Sequence, residues 1–310
     1  MMISGIPTHL ETDHPAITTD GLIKDYKRTR ALAGLDLTVP EGAVYLMVGP
    51  NGSGKTTTMK ILLDLVRSDE GTAEVFGLSP IDDGAKVRAQ IGYVPEGRIP
   101  GYEWMKVGQL IQHHSVYYPS WDTSYADSLI DRLEIDLNAR FKSLSKGESR
   151  RVQLLLALVH CPPLLLLDEP MDGLDPLVRD RVIEQLVDHI SENPTTVLAS
   201  THHIQELEKL ADHLGVLHNG HLLAQAPRDD LRQALRRYQL EVPEGWSVPP
   251  AISGNVIHQN GTGPELAWAI WGEEEQVSSA LAASGATVRN VSTLQLEEAA
   301  VAILAGEEGK

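Results

Sequence analysis

The chain has 310 residues and one cysteine, Cys161. No intrachain disulfide can form, and a reducing compartment fits. No run of about 18 apolar residues occurs, which excludes a helix that spans a membrane. Basic residues are scarce: 26 Lys and Arg stand against 43 Asp and Glu, a formal charge of −17. A surface of that sign does not hold DNA or anionic lipid by electrostatics, so no nucleic-acid partner is expected. Docking onto a membrane protein stays open. Internal repeats and low-complexity tracts are absent. The first residues, with Pro7, Glu11, Asp13 and Pro15, have neither the basic start nor the apolar core of a signal peptide. Residues 1 to about 18 read as a loose tail. What remains is ordinary globular composition, 42% hydrophobic and 22% charged, enough for one large or two modest domains.

The most informative stretch is Gly49-Pro50-Asn51-Gly52-Ser53-Gly54-Lys55-Thr56-Thr57, which fits G-x-x-x-x-G-K-[ST]. Glycines let several backbone N–H groups converge on one anion. Lys55 adds a point charge for the β- and γ-phosphates of a nucleotide, and the Thr56 hydroxyl is a Mg²⁺ ligand type. Val44 to Val48 before it reads as a buried parallel strand. Met59, Leu62, Leu63 and Val66 after it recur at helical spacing. The N-terminus of that helix would face the phosphates.

Strands are expected at Gly21–Tyr26, Ala33–Val39, Thr72–Phe76 and Ile91–Glu96, the last ending on an acid. Tyr26 reads equally as an adenine-stacking aromatic or a half-buried strand residue. From Gly101 to about Leu144 the pattern is mainly helical. Its aromatics, Trp104, Tyr117, Tyr118 and Trp121, make either a small core or a groove for a partner helix. Leu144-Ser145-Lys146-Gly147-Glu148 opens another helix. Ser145 and Glu148 can form a capping box, or the same N-terminus can face a second anion. Leu164 to Leu167 is too short for a helix and suits a central strand. It ends on Asp168-Glu169, and two carboxylates at such a place are costly unless they have a task. With this strand beside the one entering the glycine-rich loop, Asp168 would lie near a Mg²⁺ on Thr56, and Glu169 would act on a water. Asp172-Gly173-Leu174-Asp175-Pro176 turns into a helix. Thr196–Ser200 is a buried strand that ends at His202-His203, where ligands of open α/β sheets bind. Asn219-Gly220 marks a hairpin. Asp229–Tyr238 reads as a helix that closes the first domain. Beyond it lies a small α+β unit. From Arg237 onward it has 3 basic and 10 acidic residues.

The ordered set resembles the ATP-binding-cassette (ABC) ATPases over roughly residues 20–235. Gly49–Thr57 matches the Walker A loop, and Leu164–Glu169 matches Walker B with its catalytic glutamate. Leu144–Glu148 is similar to the family signature, Asp172–Asp175 to the D-loop and His202 to the switch histidine. Tyr26 falls where that family has its adenine-stacking aromatic. The family has Gln where this chain has Glu96, Gly where it has Lys146, Gln where it has Glu148, and Thr where it has Met171. With Tyr117–Asp122 and the ending Leu294–Ala300, these departures look like the branch that serves ABC-2-type exporters.

The resemblance implies an α/β fold. A RecA-like P-loop core would carry an antiparallel β subdomain and a helical subdomain (about 97–160). The cassette would span 19–236 and the accessory α+β domain 237–310. It implies ATP and Mg²⁺ as cofactors, with Thr56, Glu96 and Asp168 as metal ligands. Glu169 and His202 would be catalytic. Residues Leu144, Ser145, Lys146, Gly147 and Glu148 of a second cassette would close over each ATP, with Asp172, Gly173, Leu174 and Asp175 at the joint. Lys146 would add a cation near the phosphates of that partner. A homodimer or paired cassette, bound through a separate permease to the inner face of the cell membrane, is the implied assembly. The rival is a soluble cassette ATPase of translation, repair or cluster assembly, types that carry two cassettes or a long coiled coil. A non-enzymatic regulator is disfavoured by Glu169 and His202.

Overall fold

The computed structural model describes residues 6–308. Strand β1 (Pro15–Tyr26) pairs antiparallel with β2 (Thr29–Leu35), β3 (Thr38–Pro40) and the later β5 (Glu70–Val75). Between them come β4 (Val44–Val48), the glycine-rich loop and helix α1 (Lys55–Leu62). Helix α2 (Gly84–Ala89) leads to β6 (Ile91–Val94). Helices α3 (Val107–Ser115) and α4 (Thr123–Arg132) precede α5 (Lys146–Leu158). Then follow β7 (Leu164–Asp168), α6 (Pro176–Glu192), β8 (Thr196–Thr201) and the short α7 (Ile204–Leu207). Hairpin β9 (His213–His218) and β10 (His221–Pro227) turns at Asn219 (φ 48°) and Gly220 (φ 78°), the left-handed pair that a type I′ turn requires.

The central sheet has the order β10-β9-β4-β8-β7-β6, parallel from β9 to β6, with β10 antiparallel at its edge. Every residue of β4, β7 and β8 is buried, as a sheet covered on both faces demands. Alternation decides which face each side chain serves. Val44, Leu46, Val48, Leu165 and Leu167 pack towards α5 with Leu154, Leu155 and Leu158. Tyr45, Met47, Leu164 and Leu166 pack towards α1 and the antiparallel strands with Met59, Leu62, Ile17 and Leu32.

The last third contains α8 (Arg228–Ala234), β11 (Leu235–Glu241), α9 (Pro250–Ser253), β12 (Val256–Asn260), β13 (Glu265–Trp271), α10 (Glu274–Ala283), β14 (Thr287–Thr293) and α11 (Leu296–Glu308). Its antiparallel sheet runs β12-β13-β11-β14. Tyr238, Leu240, Trp268 and Ile270 face a core shared with Val277 and Leu281 of α10. On its other side, Ile257 and Ala269 join α11 residues Leu296, Ala299, Ala300 and Ile303 in the core of the cassette itself.

Several expectations shift. Residues 6–14 are not a free tail: Ile6 is buried, and the carbonyls of Pro7 and Thr8 accept hydrogen bonds from the Gln225 backbone and side-chain amides. The strand expected at Gly21 begins at Pro15, and Ala33–Val39 is divided between β2 and β3. The helix expected to reach Tyr238 stops at Ala234, because Tyr238 and Leu240 alternate into the C-terminal core as strand residues do. The core beneath α3 and α4 is mainly aliphatic (Val107, Leu110, Leu129, Leu133) with Phe141, while Trp104 and Tyr117 are 66% and 65% exposed. A small-core reading does not hold for those two aromatics.

His160 and His189 are both nearly inaccessible. His160 stacks on Tyr118, and the Tyr125 hydroxyl lies 3.0 Å from His189 Nδ1. Burial pushes each imidazole down to about 4. The unfolded chain therefore binds these protons first. Stability should be flat above about pH 6.5 and should fall as the pH drops towards 4, by up to about 3 kcal/mol per histidine. Urea midpoints measured across that window check this; His189→Asn should flatten the slope.

Candidate functional site

Close packing shapes the glycine-rich loop. A methyl at Gly54 (φ 114°) would meet Leu32 Cδ2 at 2.6 Å and the Ala31 carbonyl at 2.8 Å, and one at Gly49 would collide with the Leu217 carbonyl. The Gly220 N–H donates to the Ser53 carbonyl at 3.0 Å, so the β9–β10 turn fixes the loop from one side. Lys55 is buried and donates to the carbonyls of Gly49 (2.8 Å) and Pro50 (3.2 Å), spanning the loop like a strut. Burial pushes its ammonium down from the usual lysine range, and the carboxylates of Glu169, Asp168 and Glu96 pull it back up. Thr56 and Thr57 begin α1, where backbone N–H groups have no helical acceptor. Pro50, Asn51 and Gly52 are exposed, so the loop's crest is open to solvent.

Strand β8 lies between β4 and β7, so the two strands are not neighbours as expected. The convergence survives the extra strand. Thr56 Oγ1 donates to Asp168 Oδ1 at 3.0 Å, and Ser200 Oγ of β8 donates to the same oxygen at 2.6 Å. Asp168 is fully buried, and its Oδ2 has no hydrogen-bond partner. A buried carboxylate oxygen without a partner is costly. With the Thr56 hydroxyl beside it, this is a donor set of the hard-oxygen type that Mg²⁺ takes. Among the described residues no group of three protein ligands could hold a metal. That suits a cation completed by substrate oxygens and water. Glu96 is exposed, and among the described residues it shares no hydrogen bond with Thr56 or Asp168.

Glu169 is buried with φ 49°, a left-handed backbone that costs a residue with a Cβ about 1–3 kcal/mol. Its N–H donates to the Ser200 carbonyl at 3.1 Å and approaches the Ser200 hydroxyl at 3.2 Å. That anchoring turns the carboxylate towards His202. Glu169 Oε1 lies 2.9 Å from His202 Nδ1, and Oε2 accepts the His202 backbone N–H at 3.4 Å. A carboxylate that holds one imidazole nitrogen fixes ring orientation and tautomer. His203 packs its ring on His202, centroids 3.9 Å apart.

Ser145 caps α5. Its hydroxyl accepts from the Glu148 N–H, and Glu148 Oε2 accepts the Ser145 N–H at 2.7 Å. Leu144 is buried, whereas Ser145, Lys146 and Glu148 are exposed. No hydrogen bond or ion pair among the described residues joins Leu144–Glu148 to residues 49–57 of the same chain. Lys146 pairs with Asp172 at 2.5 Å, which holds the Asp172 carboxyl below its usual range. Its charge is thus engaged within the chain rather than free. Gly173 (φ 80°) lies against the Lys146 side chain, Leu174 is buried beside Gly147, and Asp175 caps α6 by accepting the Val178 N–H at 3.1 Å. Tyr26 is 42% exposed at the end of β1, under the Lys24 ammonium. It stands in the hairpin whose second strand supplies Ala31 and Leu32 to the glycine-rich loop.

Three contributors escape a motif search. Ser200 ties the Asp168 carboxylate and the Glu169 backbone N–H to β8; a polar residue amid an apolar strand was its one signal. Arg150 is buried in α5, and its guanidinium donates to the carbonyls of Pro95 and, at 2.8 Å, Glu96. Gln153 Nε2 donates to the Gly97 carbonyl at 2.7 Å. The helix behind Ser145 thereby also holds the segment that carries Glu96.

Comparison with known proteins agrees. The family model described as "ABC transporter" matches residues 32–172. The daunorubicin/doxorubicin resistance ATP-binding protein DrrA of Streptomyces peucetius is 36% identical over 239 residues, 71% of this chain and 68% of that one. The bacitracin transport ATP-binding protein BcrA of Enterococcus faecalis is 30% identical over 237 residues, 74% of this chain and 75% of that one. A solved structure of an ATP-binding subunit of an ABC transporter superposes with a TM-score of 0.64 at 26% identity, covering 70% of this chain and 92% of that one. The glycine-rich loop, the buried Asp168-Glu169 pair and these relatives place the chain in the ABC transporter family, among its ATP-binding and ATP-hydrolysing subunits.

Proposed function

We propose that the chain is the ATPase subunit of an exporter and that its active site is completed by a second cassette. The observation that carries this is the Glu169–His202 pair beside the Thr56–Asp168 bond. One cluster holds a phosphate-loop hydroxyl, a buried acid and a second acid oriented by an imidazole. Lys55 and the N–H groups of Gly54–Thr57 bind the β- and γ-phosphates of ATP. Tyr26 stacks on adenine. Thr56 and Asp168 hold Mg²⁺, with Glu96 at its outer shell, and the ion when bound neutralises phosphate charge. Glu169 orients a water and takes its proton as that water attacks the γ-phosphorus, an effect typically worth about 10²–10⁴-fold. His202 keeps the Glu169 carboxylate in place.

No hydrogen bond or ion pair among the described residues ties the exposed N-terminus of α5 to the phosphate loop of its own chain. We assign Leu144, Ser145, Lys146, Gly147 and Glu148 to the ATP of a partner cassette, with Asp172–Asp175 at the joint. No described helix is long and apolar enough to cross a membrane. A separate permease is the partner that converts closure into transport, and the chain sits at the inner face of the membrane through it. Exposed Trp104, Val116 and Tyr117 form an anchor set suited to that contact. The relatives' names, drug resistance and bacitracin transport, favour this over translation, repair or assembly.

Glu169→Gln should bind ATP with near-native affinity while steady-state hydrolysis falls by about 10²-fold or more. Phosphate release and light scattering, which follows closed dimers, measure both; near-normal turnover would remove Glu169 as the base. Lys55→Ala should weaken ATP binding by at least about tenfold in calorimetry, since it removes a charge-assisted contact. Glu96→Gln should shift the Mg²⁺ concentration needed for half-maximal hydrolysis. An unchanged Mg²⁺ titration would make Glu96 a bystander.

A further inference from the structure

We propose that the C-terminal unit is a brace for the switch segment, with Glu208 as a positioning residue that sets His202 through α7. The proposal rests on the reading of His202 given above. His202 and His203 leave the end of β8, and the chain is fixed again at Asp212, whose carboxylate accepts the Val44 N–H at 3.0 and 3.1 Å. Between these two fixed points stands α7, a helix of only four residues. So short a helix has little stability of its own and takes its position from what it packs against.

Two bodies hold it. Arg179 of α6 pairs with Glu206. The rest comes from α11, far along the chain. The Glu208 carboxylate accepts the backbone N–H of Leu296, the first residue of α11, at 2.8 Å. Gln205 Nε2 donates to Glu297. Leu296, Ala299, Ala300 and Ile303 share one buried cluster with Ile204, Leu207 and Ala211. Helix α11 is in turn tied to the C-terminal sheet by Arg237–Glu298 at 3.0 Å and by Ile257 packing. A displacement of the C-terminal sheet thus reaches α7, and α7 begins two residues after the imidazole that holds Glu169.

The four orphan N–H groups of a helix start demand acceptors. In α11 one of them is satisfied by a residue of the switch segment rather than by a local cap. That choice makes the docking of α11 and the position of α7 a single event. The C-terminal unit is then a lever on hydrolysis: whatever loosens it relaxes His202, while no hydrogen bond or ion pair among the described residues joins it to the phosphate loop.

The test uses the full chain and a Glu208→Ala/Glu297→Ala double variant, both positions lying outside the active site. Hydrogen exchange should rise across residues 203–210. In ATPase assays kcat should fall by about three- to tenfold with KM for ATP nearly unchanged. Glu208→Gln, which keeps an acceptor for the Leu296 N–H, should restore most of kcat. Arg289→Ala, on the far strand of the same unit, should leave kcat as it is. Faster exchange at 203–210 with unaltered kcat would overturn the lever, and unaltered exchange would overturn the brace. His202→Ala run in parallel separates the two readings. If it keeps full turnover, the role given to His202 fails, while the exchange data still report whether α11 holds α7.

Discussion

The structure depends on how one buried carboxylate, Asp168, is satisfied. It sits at the end of a strand of four leucines, out of reach of water, and takes hydrogen bonds from Thr56 and Ser200 on two other elements. An ionised group in that place is tolerable only where donors or a cation meet it. Strands β4, β8 and β7 must therefore end at one level, and the glycine-rich loop must bring Thr56 over the top of β8. Much of the catalytic geometry is a consequence of that alignment. Ser200 lies between the two outer strands and bonds both to Asp168 and to the backbone of Glu169. The left-handed backbone of Glu169 is a strain that the same bonds maintain.

The two ends of the site differ in character. The phosphate loop is rigid, backed by Leu32, Leu217 and the β9–β10 turn, and strapped by Lys55. The Ser145 end is capped, exposed and linked by Arg150 and Gln153 to the segment bearing Glu96. On the reading proposed above, these two ends are halves of two sites that a second cassette completes. The Lys146–Asp172 pair joins the start of α5 to the turn after Glu169.

The glycine-rich loop and the Asp168-Glu169 pair were legible in the sequence because a nucleotide site needs particular residue types in contiguous runs. Gly49–Thr57, Leu164–Glu169 and the Asn219-Gly220 turn each state their local conformation through backbone freedom or hydrophobic period. The parallel core strands and most of the helices followed from the same signals. The errors were at edges. Tyr238 read as helical because a local pattern cannot say whether an aromatic faces a helix groove or a sheet. Residues 6–14 read as a tail because their partners, the amides of Gln225, lie more than two hundred positions away.

Tertiary structure alone decided which distant groups meet. Nothing local shows that β8 stands between β4 and β7, that Ser200 serves both the Asp168 carboxylate and the Glu169 backbone, or that Lys146 spends its charge on Asp172. Nothing local shows that Glu208 caps α11. These contacts join residues that share no periodicity and no motif, and they arise only when the sheet order and the packing of helices are set. The sequence by itself determined what chemistry the chain can do; the fold determined which backbone carries each reactive group, and what can move it.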